Sequence, residues 1–292
     1  IRQTSNGVKR IFNEEAIKNV GKEVKVAGWV HTIRTHGKLI FIDLRDRSSL
    51  FQVVFGPSNE EIYKTAKALK PEWVLEIIGE VKERPKNMVN PKIRTGTIEL
   101  APKRIKVLSQ AKTLPFPINN DGYEIGEEKR LKYRYLDLRR ERMKRNLEIR
   151  GKVIQFMREF LQKEGFLEVE TPVLTKSTPE GARDFLVPSR LEPGKFYALP
   201  QSPQQFKQLL QVGGIERYFQ VARVFRDEDP RADRQAEHTQ LDIEMSFITK
   251  EEVLDLVERL YTDLVKKLFP EKRITKSPFP RLTYQEVMTK YK

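Results

Sequence analysis

An α+β protein of two modules is what the sequence predicts: a small five-stranded barrel, then a helix-rich module built around two strands. Three features carry the prediction. Residues 23–108 hold five runs of period-two alternation with one helical run after the third. A connector at 113–128 is rich in Pro, Asn and Gly, and beyond it the apolar period turns helical before returning to two alternating runs.

In the first module, EVKVAGWVHTI, KLIFIDLRD and LFQVVF each alternate so that one face meets a core and the other solvent. NEEIYKTAKALK follows as a helix, with Asn59 as N-cap and Ile62, Ala66 and Leu69 on one face. WVLEIIGEVKER and GTIELAPKRIKVL complete the set. Three strands, a helix and two strands are the order of an OB barrel. Such barrels bind single-stranded nucleic acid by stacking bases on aromatic rings beside a basic groove. Phe41 lies on the polar alternation with Leu39 and Asp43 and is a candidate base platform. Gln52, Arg84 and Glu99 on neighbouring strands offer an amide, a guanidinium and a carboxylate to base edges. An ordinary half-buried strand aromatic accounts for Phe41 equally well.

Charge supports a polyanion partner without requiring one. The chain carries a net +14, and residues 1–112 hold 22 Lys+Arg against 12 Asp+Glu, so most of the excess sits on the barrel. That is the footprint of a phosphate contact, or equally of a Lys- and Glu-rich thermophile-like surface. No apolar run approaches the roughly 18 residues of a membrane span, and IRQTSNGVKRIF lacks a signal peptide's apolar block, so neither a membrane location nor export is expected. The chain has no cysteine, which excludes disulfides and thiolate metal sites and is compatible with a cytoplasmic location.

TLPFPINNDGYEIGEE reads as a linker or hinge. A long helical region then runs to Gly165, with Leu147, Val153, Ile154, Met157, Phe160 and Leu161 as its apolar stripe. In the strand-like FLEVETPVL, Pro172 removes a ladder donor and favours an edge or an interface. A helix starts near Pro203 and stops at Gly213-Gly214, and it puts Gln204 and Lys207 three apart on one face. Taken singly, each of these two reads more readily as an exposed helix residue. RYFQVARVF and QLDIEMSF alternate as strands, the second with Leu241, Ile243, Met245 and Phe247 on one side and Gln240, Asp242, Glu244 and Ser246 on the other. Between them, RDEDPRADRQAEHT is too long for a tight hairpin. A charged loop over a polar sheet face suggests a site for a polyphosphate and a cationic small molecule.

In order along the chain, KYRYLDLRR, EVETPVLTKSTPEGARDFLVP, LPQSPQQFKQLL and RYFQVARVFRDEDPRADRQAEHTQLDIEMSF resemble the signatures of the bacterial-type aspartyl-tRNA synthetases of class II. GWV, LIFIDLRDR and LFQVVF extend the resemblance through the barrel, while IRQTSNGVKRIFNEEAI departs from it. The resemblance implies an OB anticodon-binding domain at 1–112, a linker at 113–130 and the first part of a class II antiparallel-sheet catalytic domain at 131–292, with motifs 1 and 2 present and motif 3 absent. It implies an aminoacyl-tRNA ligase that attaches L-aspartate to tRNA-Asp through an aspartyl-adenylate.

The residue roles are also implied by resemblance. Glu180, Gln204 and Asp242 would meet the aspartate ammonium and Lys207 its side-chain carboxylate. Arg226 would bridge the ATP α-phosphate and the attacking carboxylate, neutralising charge as one anion attacks another. Glu228 and Gln235 would hold the nucleotide, with His238 against adenine. Phe41 would stack on an anticodon base, with Gln52, Arg84 and Glu99 contacting its neighbours, and Lys82 replaces a frequent arginine. His36, where strict members often have leucine, points toward use of tRNA-Asn as well. ATP is a substrate. Mg2+ ligands, a second aspartate-binding arginine and the motif 3 arginine are expected outside these 292 residues, with no metal site within them, so this polypeptide by itself is not expected to adenylate aspartate. A homodimer through motif 1 around Pro172 is implied. The competing readings are a non-catalytic tRNA-binding synthetase-like protein and an enzyme for asparagine or lysine; Lys207 would repel lysine's ammonium.

Overall fold

The strands β1 (Glu23–His36), β2 (Leu39–Arg45), β3 (Leu50–Phe55), β4 (Val74–Glu83) and β5 (Ile98–Ser109) close into a barrel in the order β1-β2-β3-β5-β4, with α1 (Glu60–Ala68) inserted after β3. The computed structural model describes residues 8–178, 180–231 and 234–291. One compact unit reaches Glu141 and the other begins at Arg142. Neighbouring barrel strands are antiparallel except β3 and β5, which meet in parallel at Val53 and Leu100. The alternation places Val26, Ile42, Leu44, Phe51, Val53, Ile77 and Leu100 inside, all fully buried. Asn59 caps α1 by accepting the Ile62 N–H at 3.2 Å, and Ile62, Ala66 and Leu69 bury as the spacing requires.

Strand crossing is tight at Gly28, where an added Cβ would lie 2.3 Å from the Arg45 carbonyl oxygen. Backbone cannot yield there as a flexible side chain would. Gly28→Ala is therefore expected to cost about 1–3 kcal/mol through overpacking, measured as a lower urea midpoint with an unchanged slope. A midpoint equal to wild type would show that β1 and β2 separate freely.

The connector has its own small core. Phe116, Ile118 and Leu136 bury together, packed by Leu114, Ile125 and Tyr133. The single helix expected here is broken into α2 (Glu127–Lys132), α3 (Arg134–Asp137) and α4 (Glu141–Lys163). Long-range bonds accompany the break after α3. Asp137 is buried and takes Arg134 at 2.7 Å and Arg140 at 2.8 Å, while the Arg140 guanidinium also donates to the Pro117 and Asn120 carbonyls at 2.6 and 2.7 Å. The two carbonyl bonds tie the chain back to the connector where α3 ends. Leu147, expected in the apolar stripe, is exposed on α4.

In the second unit, β6 (Leu167–Glu168), a β7 (Leu186–Pro188) and β8 (Phe196–Ala198) hairpin, and α5 (Gln204–Val212) precede β9 (Arg217–Phe225) and β10 (Glu237–Met245). Then come α6 (Lys250–Leu268) and α7 (Tyr284–Tyr291). The sheet order is β10-β9-β6, with β9 and β10 antiparallel and β6 parallel to β9. The strand expected over FLEVETPVL shrinks to two residues, and further on Thr175 pairs with Ala198 instead. Pro172, without an N–H, could not have continued the ladder. One sheet face packs Phe219, Leu241, Ile243 and Met245 against Leu161, Phe166 and Leu256. Phe247 does not join them: the strand ends at Met245, and Phe247 takes φ +57° and is 92% exposed. Thr249 and Glu252 close a reciprocal capping box at the start of α6.

Candidate functional site

The other face of β9 and β10 is polar, and register explains how. Tyr218 lies opposite Glu244, Gln220 opposite Asp242, Ala222 opposite Gln240 and Val224 opposite His238, so all eight share one side of the sheet. Helix α5 packs on both strands and delivers Lys207, whose Nζ lies 2.9 Å from Asp242 Oδ1 and 3.2 Å from Glu244 Oε2. Gln240 Nε2 donates to the same Asp242 oxygen at 3.2 Å. Asp242 is 3% exposed, and its Oδ2 is buried without a hydrogen-bond partner.

Burial pulls the Lys207 ammonium down, but hydrogen bonds and charge from Asp242 and Glu244 outweigh it, and its pKa lies above the ordinary lysine value. Tyr218 is pushed far up by burial and by the same two carboxylates, so its hydroxyl stays protonated. It donates to Gln220 Oε1 at 2.8 Å, which also accepts Thr171 Oγ1 at 3.0 Å. Tyr218 and Gln220 escaped sequence reasoning, although the alternation of RYFQVARVF puts both on the face opposite Phe219 and Val221.

The loop residues are tied in through Gln201, another side chain the sequence did not single out. Its side-chain amide exchanges hydrogen bonds with the Ala182 backbone at 3.0 and 2.8 Å and donates to Asp184 at 2.5 Å, and the Gln201 backbone carbonyl accepts Arg226 Nε at 3.4 Å. Arg226 is half-buried just after β9, where its own N–H donates to the Ala236 carbonyl. Glu180 accepts the Ser202 hydroxyl at 2.5 Å. Gln204 opens α5, its N–H donating to Ser202 Oγ at 3.3 Å. Glu228 and Gln235 are exposed on the loop, and His238 is half-buried on β10. Among the described residues no hydrogen bond joins these three side chains to the Lys207 cluster. Nor do three or more His, Cys, Asp or Glu side chains stand together as metal ligands among the described residues.

On the barrel, a second polar face carries the other candidate residues. Phe41 pairs with Arg34 on one side and Val54 on the other, and Asp43 pairs with Thr32 and Gln52. Arg34 donates to Asp43 at 2.9 Å, and Gln52 Nε2 donates to Glu99 Oε2 at 3.0 Å. Arg84 donates from Nε to the Ile98 carbonyl at 2.9 Å, while its Nη2 is buried without a partner. Burial lowers the Arg84 pKa, with Glu99 and Asp43 acting against that and Arg34 with it. Lys82 lies opposite Glu99, and His36 is exposed at the β1–β2 turn. Phe41 is half-buried, so one part of its ring packs and another remains open.

Comparison with known proteins identifies both modules. Residues 24–108 match the OB-fold nucleic acid binding domain, and residues 126–292 match the tRNA synthetases class II (D, K and N). The chain is 57% identical over 273 residues to the Aspartate--tRNA(Asp/Asn) ligase of Rubrobacter xylanophilus, covering 94% of this chain and 45% of that protein. It is 56% identical over 279 residues to the enzyme of the same name from Aquifex aeolicus, covering 95% and 46%. The chain thus spans under half the length of these curated relatives. Among solved structures it resembles the asparaginyl-tRNA synthetase of Pyrococcus horikoshii complexed with asparaginyl-adenylate, with a TM-score of 0.81, 26% identity, and coverage of 97% of this chain and 66% of that one. With the family model covering residues 126–292 and the barrel ahead of it matching the OB fold, the chain belongs to the class II tRNA synthetases of the D, K and N group.

Proposed function

We propose that these residues form the anticodon-binding barrel and the first half of the adenylation site of an enzyme that attaches L-aspartate to tRNA. The observation that carries this is the Lys207 cluster: a buried ammonium held between two carboxylates, one of which keeps a buried oxygen without a donor. A zwitterion with a second carboxylate suits it, its ammonium matching Asp242 Oδ2 and its side-chain carboxylate matching Lys207. Glu180 and Gln204, which meet at Ser202, would complete the amino-acid site from the loop and from the start of α5. A lysine substrate would place a second ammonium against Lys207, which the Coulomb term opposes.

Along β10, His238 and Asp242 are four residues and about 13 Å apart on one face. That spacing suits a nucleotide base near His238 and an amino acid at Asp242, with the α-phosphate between them near Arg226. Arg226 acts by neutralising the approach of carboxylate to phosphate, and Glu228 and Gln235 close over the nucleotide from the loop. Dimerisation through motif 1 fits the shallow groove of about 200 Å³ that Val169, Thr171, Pro172, Phe206, Leu209 and Leu210 line.

Pyrophosphate exchange tests the reading. Extended with the motif 3 strands, the polypeptide is expected to exchange with aspartate and not with asparagine or lysine. The 292 residues alone are expected to be silent. Exchange driven by asparagine would reassign the substrate, and aspartate-dependent exchange by the short polypeptide would refute the division of the site.

A further inference from the structure

KYRYLDLRR, residues 132–140, sends charged side chains deep into the body of the first unit. Arg139 Nη1 donates to Glu72 Oε2 at 2.5 Å, and Arg45 grips the same carboxylate with both nitrogens at 2.9 and 2.7 Å. The two guanidinium carbons lie 5.4 and 5.9 Å from the centre of the Trp29 ring. Glu72 is 3% exposed and takes φ +67°, at the third position of the Lys70-Pro71-Glu72-Trp73 turn. Glycine or asparagine is usual there. A glutamate persists in such a conformation only where its surroundings over-determine it.

The other end of the motif is pinned independently. Arg140 and Asp137 are buried together, and Arg140 donates to the Pro117 and Asn120 carbonyls. Gly122, at φ +74°, makes room, since an added Cβ would lie 2.6 Å from the Arg140 guanidinium carbon. Arg45 and Phe41 share one face of β2, about 13 Å apart, so the clamp grips the strand that carries the proposed base platform.

We infer that residues 113–140 are a fixed extension of the barrel, locked by the Arg45–Glu72–Arg139 clamp, so that the rigid first body ends near Glu141 and not at residue 112. Linker composition here covers a locked strut.

Hydrogen exchange of the 292-residue chain, read by mass spectrometry, tests this. In the wild type, amides of 134–140 are expected to be protected like those of β1 and β2. Arg139→Gln removes only the connector's side of the clamp and leaves Arg45 on Glu72. It is expected to speed exchange across 134–140 about tenfold or more while β1–β3 stay unchanged. Gly122→Ala is expected to loosen the same segment from the Arg140 side. Free-chain exchange of 134–140 in the wild type would overturn the inference, as would wild-type protection in Arg139→Gln.

Discussion

Replacing Lys207 with methionine is expected to destabilise the second unit by about 3–5 kcal/mol, because it leaves Asp242 and Glu244 facing one another without their cation. The Lys207 and Asp242 side chains are 10% and 3% exposed, so solvent cannot screen the loss as it would at the surface. The triple change Lys207→Met, Asp242→Asn and Glu244→Gln removes all three charges and is expected to recover most of the stability. A single variant within about 1 kcal/mol of wild type in urea unfolding would mean that water enters the cluster and the pair is not buried in solution.

The same residue gives a pH signature with a defined sign. Because the folded-state pKa of Lys207 is raised above its ordinary 10.5, its contribution is fully present below that ordinary value and is lost as pH climbs through the folded one. The stability gap between wild type and Lys207→Met should therefore stay level up to about pH 10 and narrow above it. A gap that closed near neutrality would point to another group.

Phe41→Ala carries the largest effect expected on ligand binding. Base stacking on an aromatic side chain contributes about 1–3 kcal/mol, so affinity for a hairpin RNA bearing the aspartate anticodon should fall roughly 5- to 150-fold. Fold stability should change less, because Phe41 is half-buried on the polar face and lies outside the barrel core. Fluorescence anisotropy at two salt concentrations separates stacking from charge: the variant is expected to keep the wild-type salt slope, since the substitution removes no lysine or arginine. Equal affinity of wild type and variant would remove Phe41 from the interface. Comparing hairpins with the aspartate and asparagine anticodons in the same assay asks what His36 does at the β1–β2 turn.

Strand alternation alone shows the facing of both sheets. It separated Phe41 and Asp43 from Ile40, Ile42 and Leu44, and Asp242 and Glu244 from Leu241 and Ile243, because side chains on a strand must alternate about the backbone. Asn59 could be named as a cap because a short acceptor before a helical run has one local use. Failures came where a distant partner decided the outcome. The helix expected through residue 137 breaks where Arg140 reaches carbonyls some twenty positions earlier. Phe247 continues the apolar alternation in sequence but leaves the sheet where the pairing with β9 stops.

Composition, period and residue type by themselves determined the barrel and the polar faces of its strands and of β10, because these depend on local geometry and side-chain chemistry, whereas the roles of single residues toward an amino acid, a nucleotide and a base are what the resemblance implies. Only the tertiary structure decided which charges neutralise one another. It closed Lys207 onto Asp242 and Glu244 and left one buried carboxylate oxygen open, and it joined Arg45 and Arg139 across 94 positions on Glu72. Pairings of that kind depend on where folded elements come to rest, and no local pattern encodes the separation of two side chains far apart in the chain.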